Sequence, residues 1–493
     1  MAISVFANID YVHGQTLEDE SVTREIITTM DEYGNVTVVK DKSPKIVEIN
    51  ENAAKSRAAA TKQIVNFHTK TFSENTNYIE SLTGNSGYIN GSYGADAAYL
   101  GVVNGRVKFM MGGVVGLVDP DEVQVLGLND VESYSYYAVS SSGNLLHYIC
   151  TDMTTPGTAS TLNNGKAPSY LKKGVEYLSY DGHYFYTNYN TMLTDYKNST
   201  RKNAVNSSSP FYNYYQYLPL RSKSAYSSSQ LNTIINDKVS QGSKMRDIGS
   251  SVIEAQNTYG VNAMMIAGIA ANESNWGKSN ISQTKNNLFG INAVDSSPSD
   301  AYRFDSVGTC IDEFARLWMS SGYLCPDDWR YHGAFLGDKA SGINVMYASD
   351  PYWGEKAASI AKNLDIAGGG KDVNRYQIGV KDTIATSHSS YNVRNSSSNS
   401  SELLYKTGNS SNYSFIILNS NKSNGYYKIQ SDGVLNSSRT AMLPDATKYS
   451  FTNMYAYSIY QWYSKGKYPE RNSGKGKGGN IQPTGIWKQP LQK

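Results

Sequence analysis

Short alternating apolar runs in the first third of the chain predict antiparallel β structure. From Gly84 onward, the segment AAYLGVVNGRVKFMMGGVVGLVDPDEVQVL is interrupted at Asn104-Gly105 and Gly112-Gly113. These residue types form tight hairpin turns, so the segment predicts the hairpins of a small β-barrel. Two further β-rich stretches follow, YYAVSSSGNLLHYI and YLSYDGHYFY.

The spacing of apolar residues changes to a helical period near Leu231. The segment LNTIINDKVSQGSKMRDIGSSVIEAQNTYG ends at Gly260, which fits a helix C-cap. The next segment, VNAMMIAGIAANES, is apolar on nearly all sides and predicts a buried helix. Helices are also predicted over residues 308–320 and 351–364, and the glycines at 368–370 indicate a domain boundary.

These patterns predict a multidomain α+β protein with a mainly α centre flanked by small all-β modules. The predicted segments are a helical or extended lead-in (1–83), two β modules (84–128 and 129–190), an Asn/Ser/Lys-rich linker (191–211), the helical centre (212–370), and a C-terminal module with the strand rhythm of an SH3-like barrel and a basic tail (371–493).

The charge distribution points to an anionic partner. The whole chain carries a formal charge of +2, but residues 371–493 contain 16 Lys/Arg and 6 Asp/Glu, which leaves +10 there and −8 elsewhere. Such a basic segment suits a wall polymer or a nucleic acid, and a solvated lysine-bearing surface is the alternative. The 40 tyrosines fit either a surface that holds polar polymers or an exposed β-rich protein.

Other functional classes find little support in the sequence. The three cysteines lack metal-ligand spacing, the six histidines do not cluster, and no glycine-rich phosphate loop occurs, so no metal or cofactor is predicted. No apolar run reaches the roughly 18 residues of a membrane span. A full signal peptide is not visible; Val5-Phe6-Ala7 fits the remnant of a cleavage site, and a tag or native start fits equally.

The predicted buried helix ends in a carboxylate, Glu273, followed by Ser-Asn-Trp-Gly. Desolvation and the negative end of the helix dipole both raise the pKa of a carboxyl group in this position. A glutamate kept protonated near neutral pH can donate its proton to a glycosidic oxygen. Trp276 would offer a stacking face for a sugar, and Gly277 would let the backbone turn away. A helix-capping role for Glu273 is the alternative.

The surrounding motifs resemble glycoside hydrolase family 73, the bacterial N-acetylglucosaminidases, and especially the autolysins that separate daughter cells. The motifs are NESNWGKS, KNNLFGI and FLGDKASGINVMYASDPYWGEKAASI, with YLPLRSKSAYSSSQLN as the lead-in. The resemblance covers roughly residues 84–370. It implies a lysozyme-like α lobe with a small β lobe, and SH3-like and WW-like modules upstream.

By position in these motifs, the resemblance implies that Glu273 is the general acid and that Tyr347 faces the cleft. The second carboxylate would lie in NAVDSSPSDAYRF, where Asp295 is favoured over Asp300 as a water-activating base. Family members often have a glutamate there, whereas this chain has only aspartates, whose side chains are shorter. A substrate-assisted mechanism through the N-acetyl group is therefore favoured over inversion. The motifs also place Asn287 and Phe289 at the floor of the groove, and Tyr352 and Trp353 along it, with helix packing as an alternative for Trp353.

The implied function is cleavage of peptidoglycan on the N-acetylglucosamine side, in wall turnover or daughter-cell separation. The expected partners are glycan strands and, through the C-terminal module, an anionic wall polymer rather than nucleic acid. The expected location is outside the cell, at the wall, and a phage-borne enzyme is also consistent. A lytic transglycosylase or muramidase and a non-catalytic wall-binding protein are the alternative functions.

Overall fold

The computed structural model describes residues 27–39, 43–48, 62–292, 301–382, 390–459 and 485–488. The described part combines a mainly helical region, called the helical domain below, with several antiparallel sheets, which confirms the prediction of an α+β protein. A short hairpin comes first, with strands β1 (Ile27–Met30) and β2 (Val36–Val39). Most of the predicted helix or extended segment before residue 62 lies outside the described residues.

A seven-stranded antiparallel sheet follows, with strand order β5-β4-β8-β7-β6-β3-β9. Its strands are β3 (Gln63–Asn66), β4 (Thr76–Glu80), β5 (Ser86–Ile89), β6 (Asp96–Val103), β7 (Arg106–Met111), β8 (Val114–Val118) and β9 (Gln124–Gly127). The predicted boundary at residue 84 is wrong, because β3 and β4 precede it. Strand β3 lies between β6 and β9: Ile64 is fully buried and pairs with Ala98 on one side and Leu126 on the other.

A four-stranded sheet covers the next predicted module, with strand order β12-β11-β10-β13. Its strands are β10 (Tyr136–Val139), β11 (Asn144–Ile149), β12 (Ser160–Lys166) and β13 (Glu176–Tyr177).

The segment predicted as a linker, 191–211, is folded rather than extended. It contains most of helix α1 (Tyr189–Lys197), whose buried Asp195 organises the chain that follows. Asp195 accepts hydrogen bonds from the Thr200 hydroxyl at 2.9 Å and from the Asn203 backbone and side-chain nitrogens, each at 2.8 Å. The polar residues of this segment therefore form turns and side-chain-to-backbone hydrogen bonds. A solvated linker has a similar composition, so composition alone does not separate the two.

The helical domain contains eight α-helices within the described residues from 214 to 367. They are α2 (Tyr214–Tyr217), α3 (Ser228–Asn236), α4 (Gly249–Tyr259), α5 (Ala263–Ser274), α6 (Asn280–Lys285), α7 (Val307–Glu313), which continues as a π-helix (Phe314–Tyr323), α8 (Asn344–Tyr347) and α9 (Trp353–Ala367). Gly260 ends α4 in the left-handed conformation, as predicted. None of the helices in the described ranges is long and apolar enough to cross a membrane.

Helix α5 is the centre of this domain, as its apolar sequence predicts. Ten of its twelve residues are buried, and it packs against α9. The two helices approach closely at Gly268, where an added Cβ would lie 2.9 Å from the Ala357 carbonyl oxygen. A larger residue at 268 would force the helices apart, so this glycine sets their separation.

The C-terminal module is a seven-stranded antiparallel sheet with strand order β16-β15-β19-β18-β17-β14-β20. Its strands are β14 (Ile378–Asp382), β15 (Asn392–Arg394), β16 (Leu403–Lys406), β17 (Asn412–Ser423), β18 (Tyr426–Gln430), β19 (Tyr455–Ile459) and β20 (Gly485–Lys488).

This module packs directly on the helical domain. The fully buried Arg221 guanidinium donates to carbonyl oxygens of Asp432 at 2.8 Å, Tyr259 at 2.5 Å and Ser320 at 3.1 Å. The same group lies 4.3 Å from the centre of the Tyr449 ring. Residues on both sides of the glycines at 368–370 therefore share one buried polar network.

Candidate active site

The end of α5 places Glu273 beside an abrupt change of chain direction. Asn275, Trp276 and Gly277 have consecutive positive φ angles of 48°, 56° and 74°. A Cβ on Gly277 would lie 2.7 Å from both the Met245 backbone nitrogen and the Ser243 hydroxyl oxygen. Only glycine fits this turn without displacing the backbone, so the tight turn predicted after the helix is present. Glu273 lies in the last helical turn and is half-buried.

The Glu273 carboxylate is held by the first residue of α9. The indole nitrogen of Trp353 donates to Glu273 Oε1, and Asn272 Nδ2 lies 3.5 Å from the same oxygen. Trp353 is only 2% exposed, so the indole is fixed by the core. Sequence reasoning placed Trp353 in the groove or in helix packing and missed this bond, because the two residues lie 80 positions apart.

Tyr347 lies against the other side of Trp353. The two rings are stacked, with centroids 4.4 Å apart and an angle of 28° between their planes. The Tyr347 hydroxyl is 3.4 Å from the carbonyl oxygen of Phe289, whose ring stacks on Phe314 at 3.7 Å. Glu273, Trp353 and Tyr347 thus form a continuous cluster on the helical domain, and Phe289 forms its base.

Lys339 holds the segment that carries Tyr347. Its buried ammonium group donates to the carbonyl oxygens of Asn344, Val345 and Ala348 at 3.2, 3.1 and 2.9 Å. These are orphan acceptors at the end of the short helix α8, which a cation is well suited to satisfy. Burial lowers the pKa of Lys339 to about 7. This supporting residue carries no signal in the sequence beyond its position in the motif.

Asn287, predicted to bind substrate, has a structural role instead. Its side chain is 1% exposed, and its nitrogen donates to the carbonyl oxygens of Ile291 at 2.9 Å and Tyr302 at 3.0 Å. Its oxygen accepts from the backbone nitrogens of Phe289 and Ile291. All of these bonds close the turn that supports Phe289, so the amide faces backbone rather than a ligand.

Tyr352, also predicted to bind substrate, lies away from Glu273. It is 7% exposed and packs edge-on against His147 of the four-stranded sheet, with ring centres 4.9 Å apart. Burial raises the pKa of its hydroxyl well above the usual value. The residue joins the helical domain to the sheets. The prediction was wrong because neighbouring residues at the start of a helix point in different directions.

Two buried contacts at the start of α9 were not predicted from the sequence: a histidine–carboxylate hydrogen bond and a lysine–carboxylate ion pair. Glu355 accepts from His147 Nδ1 at 2.9 Å and from Asn164 Nδ2 at 2.5 Å. Lys356 donates to Asp350, which closes the loop before α9. These contacts anchor the start of α9, and with it Trp353.

The two candidate second carboxylates, Asp295 and Asp300, lie outside the described residues, which stop at 292 and resume at 301. Among the residues that the structure does describe, no group of three His, Cys, Asp or Glu side chains could hold a metal ion.

Trp276 is not the open sugar platform that was predicted. It is 8% exposed, and its indole nitrogen donates to the carbonyl oxygen of Gly34 in the N-terminal hairpin at 3.0 Å. The hairpin covers the ring, which belongs to the main hydrophobic core of the helical domain. Sequence position showed that an aromatic ring follows Glu273 but not what would cover it.

We therefore expect Trp276→Phe to affect stability rather than substrate binding. The variant loses one buried hydrogen bond and part of a packed ring, which together cost about 1–3 kcal/mol of unfolding free energy. Urea denaturation and KM for soluble muropeptides measure the two effects. Trp329→Phe, at a side chain 57% exposed, is the matched control and should change neither. A several-fold rise in KM at unchanged stability would restore the sugar-stacking role.

Comparison with known proteins finds similarity to a family over the part of the chain that holds this site. Residues 249–366 match the glucosaminidase family model, described as mannosyl-glycoprotein endo-beta-N-acetylglucosaminidase. Two Streptococcus pneumoniae proteins, from strains TIGR4 and R6, are each 31% identical over 268 residues, or 54% of this chain. Both carry the name "Putative endo-beta-N-acetylglucosaminidase". The chain spans about a third of their length, 35% and 33% respectively.

Among solved structures, Staphylococcus aureus autolysin E is similar at 22% sequence identity, with a TM-score of 0.27. The match covers 40% of this chain and 87% of that structure.

Proposed function

We propose, from the match of residues 249–366 to the glucosaminidase family model, that the protein is a peptidoglycan hydrolase. It would cleave the β-1,4 bond on the N-acetylglucosamine side of the glycan strand, in wall turnover or daughter-cell separation. The observation that carries the proposal is the position of Glu273 in this domain. It is a half-buried carboxyl group at the end of the buried helix, bonded to Trp353 and close to Tyr347.

In the proposed reaction Glu273 is the general acid. A glycosidic oxygen is a poor leaving group unless it receives a proton as the bond breaks. Partial burial and the helix C-terminus both favour the protonated carboxyl group before substrate arrives. The proton passes from Glu273 to the leaving oxygen, and the resulting carboxylate keeps the Trp353 hydrogen bond. Tyr347, half-buried beside Trp353, is placed to contact the sugar ring.

For the second half of the reaction we favour substrate assistance over a water-activating carboxylate. The chain offers only the aspartates 295 and 300, whose side chains are shorter than glutamate. In a substrate-assisted reaction, the N-acetyl oxygen attacks the anomeric carbon and water then opens the cyclic intermediate.

On this mechanism, Asp295→Asn and Asp300→Asn should each retain activity within about tenfold of the parent, because neither carboxylate is the base. N-acetylglucosamine-thiazoline, which resembles the cyclic intermediate, should inhibit. The measurement is the initial rate of release of soluble fragments from purified walls. A loss at one aspartate as deep as that of a general-acid variant, without thiazoline inhibition, would establish that aspartate as the base of an inverting reaction.

The β modules, of SH3-like and WW-like type upstream and SH3-like type at the C-terminus, are proposed to hold the polymer. Because the C-terminal module packs on the helical domain through Arg221, it would extend the enzyme surface rather than act on a loose tether. The basic residues from 371 onward favour an anionic wall polymer, so binding to walls should weaken with salt. This function places the protein outside the cell, at the wall.

A test of the proposed function is hydrolysis of purified peptidoglycan by the full chain. The enzyme should lower the turbidity of a wall suspension and release soluble muropeptides. Walls that bind the protein in a sedimentation assay, with no release of fragments under any pH or salt condition, would favour a non-catalytic wall-binding protein instead.

A further inference from the structure

Trp353 is the one tryptophan whose indole nitrogen bonds to Glu273 in the described structure. An indole N–H donates and cannot accept, so its bond to a carboxyl oxygen is stronger when that group is ionised. The contact is therefore different from ordinary packing. It favours the charged form of Glu273, whereas partial burial and the helix C-terminus favour the neutral form.

We propose that Trp353 is a positioning residue, whose indole N–H both orients Glu273 and sets the upper pH limit of catalysis. The inference rests on the proposed role of Glu273 as general acid. Trp353 acts through Glu273 and is not itself assigned a contact with substrate.

The orientation follows from which oxygen is engaged. Trp353 Nε1 and Asn272 Nδ2 both approach Oε1, so these contacts restrict the rotation of the carboxyl group. A carboxyl group with one oxygen fixed presents the other in a defined direction. This arrangement lowers the cost of bringing the proton to the glycosidic oxygen.

The indole is itself held in place by aromatic contacts that do not involve its nitrogen. Tyr347 stacks on the Trp353 ring at 4.4 Å, and the Tyr347 hydroxyl reaches the Phe289 carbonyl oxygen. The ring contact and the N–H bond are thus separable by mutation. Trp353→Phe keeps an aromatic ring and removes the donor, while Tyr347→Phe keeps both the stacking ring and the Trp353 donor.

On α9, Lys362 is buried, and burial lowers its pKa to about 7. Further charged groups on the elements around α5 have partners of their own or lie in solvent. They are Glu355 with His147, Lys356 with Asp350, Lys285 with the Ala301 carbonyl, Lys244 with the Asn286 side chain, Lys339 with the Ala348 carbonyl, and the exposed Glu254 on α4. The same substitutions leave all of these groups in place, so a change in pH dependence reports on Glu273.

The sign of the expected shift follows from the donor. Loss of a donor that favours the carboxylate leaves the general acid protonated to higher pH. The alkaline limb of kcat/KM against pH should therefore move upward by about one pH unit in Trp353→Phe. At the pH optimum, kcat should fall by about tenfold because the carboxyl group is less well oriented, while KM changes little.

Two controls separate this effect from general damage. Tyr347→Phe should reduce kcat without moving the alkaline limb, because the indole donor remains. Trp329→Phe makes the same chemical change at an exposed site and should alter neither quantity. A Trp353→Phe variant that loses activity equally at every pH, with the limb unmoved, would show a purely structural role and overturn the proposal.

A second measurement needs no folded Trp353 variant. In the ¹⁵N-labelled full chain, one of the six indole N–H resonances should shift with pH. The midpoint of this shift should equal the midpoint of the alkaline limb of kcat/KM. The shift should disappear in Glu273→Gln. The absence of any titrating indole signal in an active enzyme would contradict the proposal. If Glu273→Gln itself keeps full activity, the proposed function fails at its acid, which is a different outcome from an unmoved pH limb.

Discussion

Replacement of Glu273 by glutamine should abolish wall hydrolysis and leave the fold intact. Glutamine keeps the shape of the side chain, and its carbonyl oxygen can still accept the Trp353 indole hydrogen bond. What is lost is the transferable proton, which is worth at least about a hundredfold in rate for a general acid. The rate of muropeptide release and the melting temperature measure the two parts of this expectation.

Glu254→Gln is the matched control for this variant. Glu254 is an exposed residue on α4, in the same domain, and its replacement makes the same chemical change away from the site. It should retain full activity. Near-normal hydrolysis by Glu273→Gln would remove this residue from the reaction, and a large fall in its melting temperature would leave lost folding as the explanation of lost activity.

The largest expected effect on stability comes from Arg221→Met. Methionine fills a similar apolar volume but donates no hydrogen bond, so the buried carbonyl oxygens of Asp432, Tyr259 and Ser320 lose their donors. Unsatisfied buried acceptors cost about 1–3 kcal/mol each, and we expect a loss of about 3 kcal/mol or more in unfolding free energy. Urea denaturation followed by tryptophan fluorescence measures it.

Arg316→Met serves as the control for arginine removal. Arg316 is partly exposed and makes only a 3.6 Å ion pair with Asp312, one helical turn away. Pairs of this kind contribute about 0.3–0.5 kcal/mol, so the control should unfold almost as the parent does. Equal stability of the two variants would mean that the C-terminal module and the helical domain do not depend on the Arg221 network.

The sequence predicted those parts of the protein whose signal is local. Helix α5 was predicted because its apolar residues are continuous, and the turn after it because Gly277 follows within three residues of the helix end. The linker prediction failed at α1 because Thr200 and Asn203, which bind buried Asp195, belong to residue types that are also common in solvated linkers. The boundary at residue 84 failed because β3 is a four-residue strand, too short to show an alternating pattern.

The position of the candidate acid could be predicted from the sequence, whereas the contacts around it could not. Glu273 stands at the end of a recognisable helix, within motifs that resemble a known family. Its bond to Trp353 and the cover that the Gly34 hairpin places over Trp276 join residues 80 and 242 positions apart. Such contacts arise from the packing of whole elements, and no periodicity within a segment encodes them.

The nature of the new glycan ends tests the central claim most directly. Purified peptidoglycan is digested with the full chain, the products are reduced with borohydride, and the soluble muropeptides are analysed by mass spectrometry. The account predicts fragments that end in reducible N-acetylglucosamine. Fragments that end in 1,6-anhydro-muramic acid, or in reducible muramic acid, would show a lytic transglycosylase or a muramidase and would contradict it.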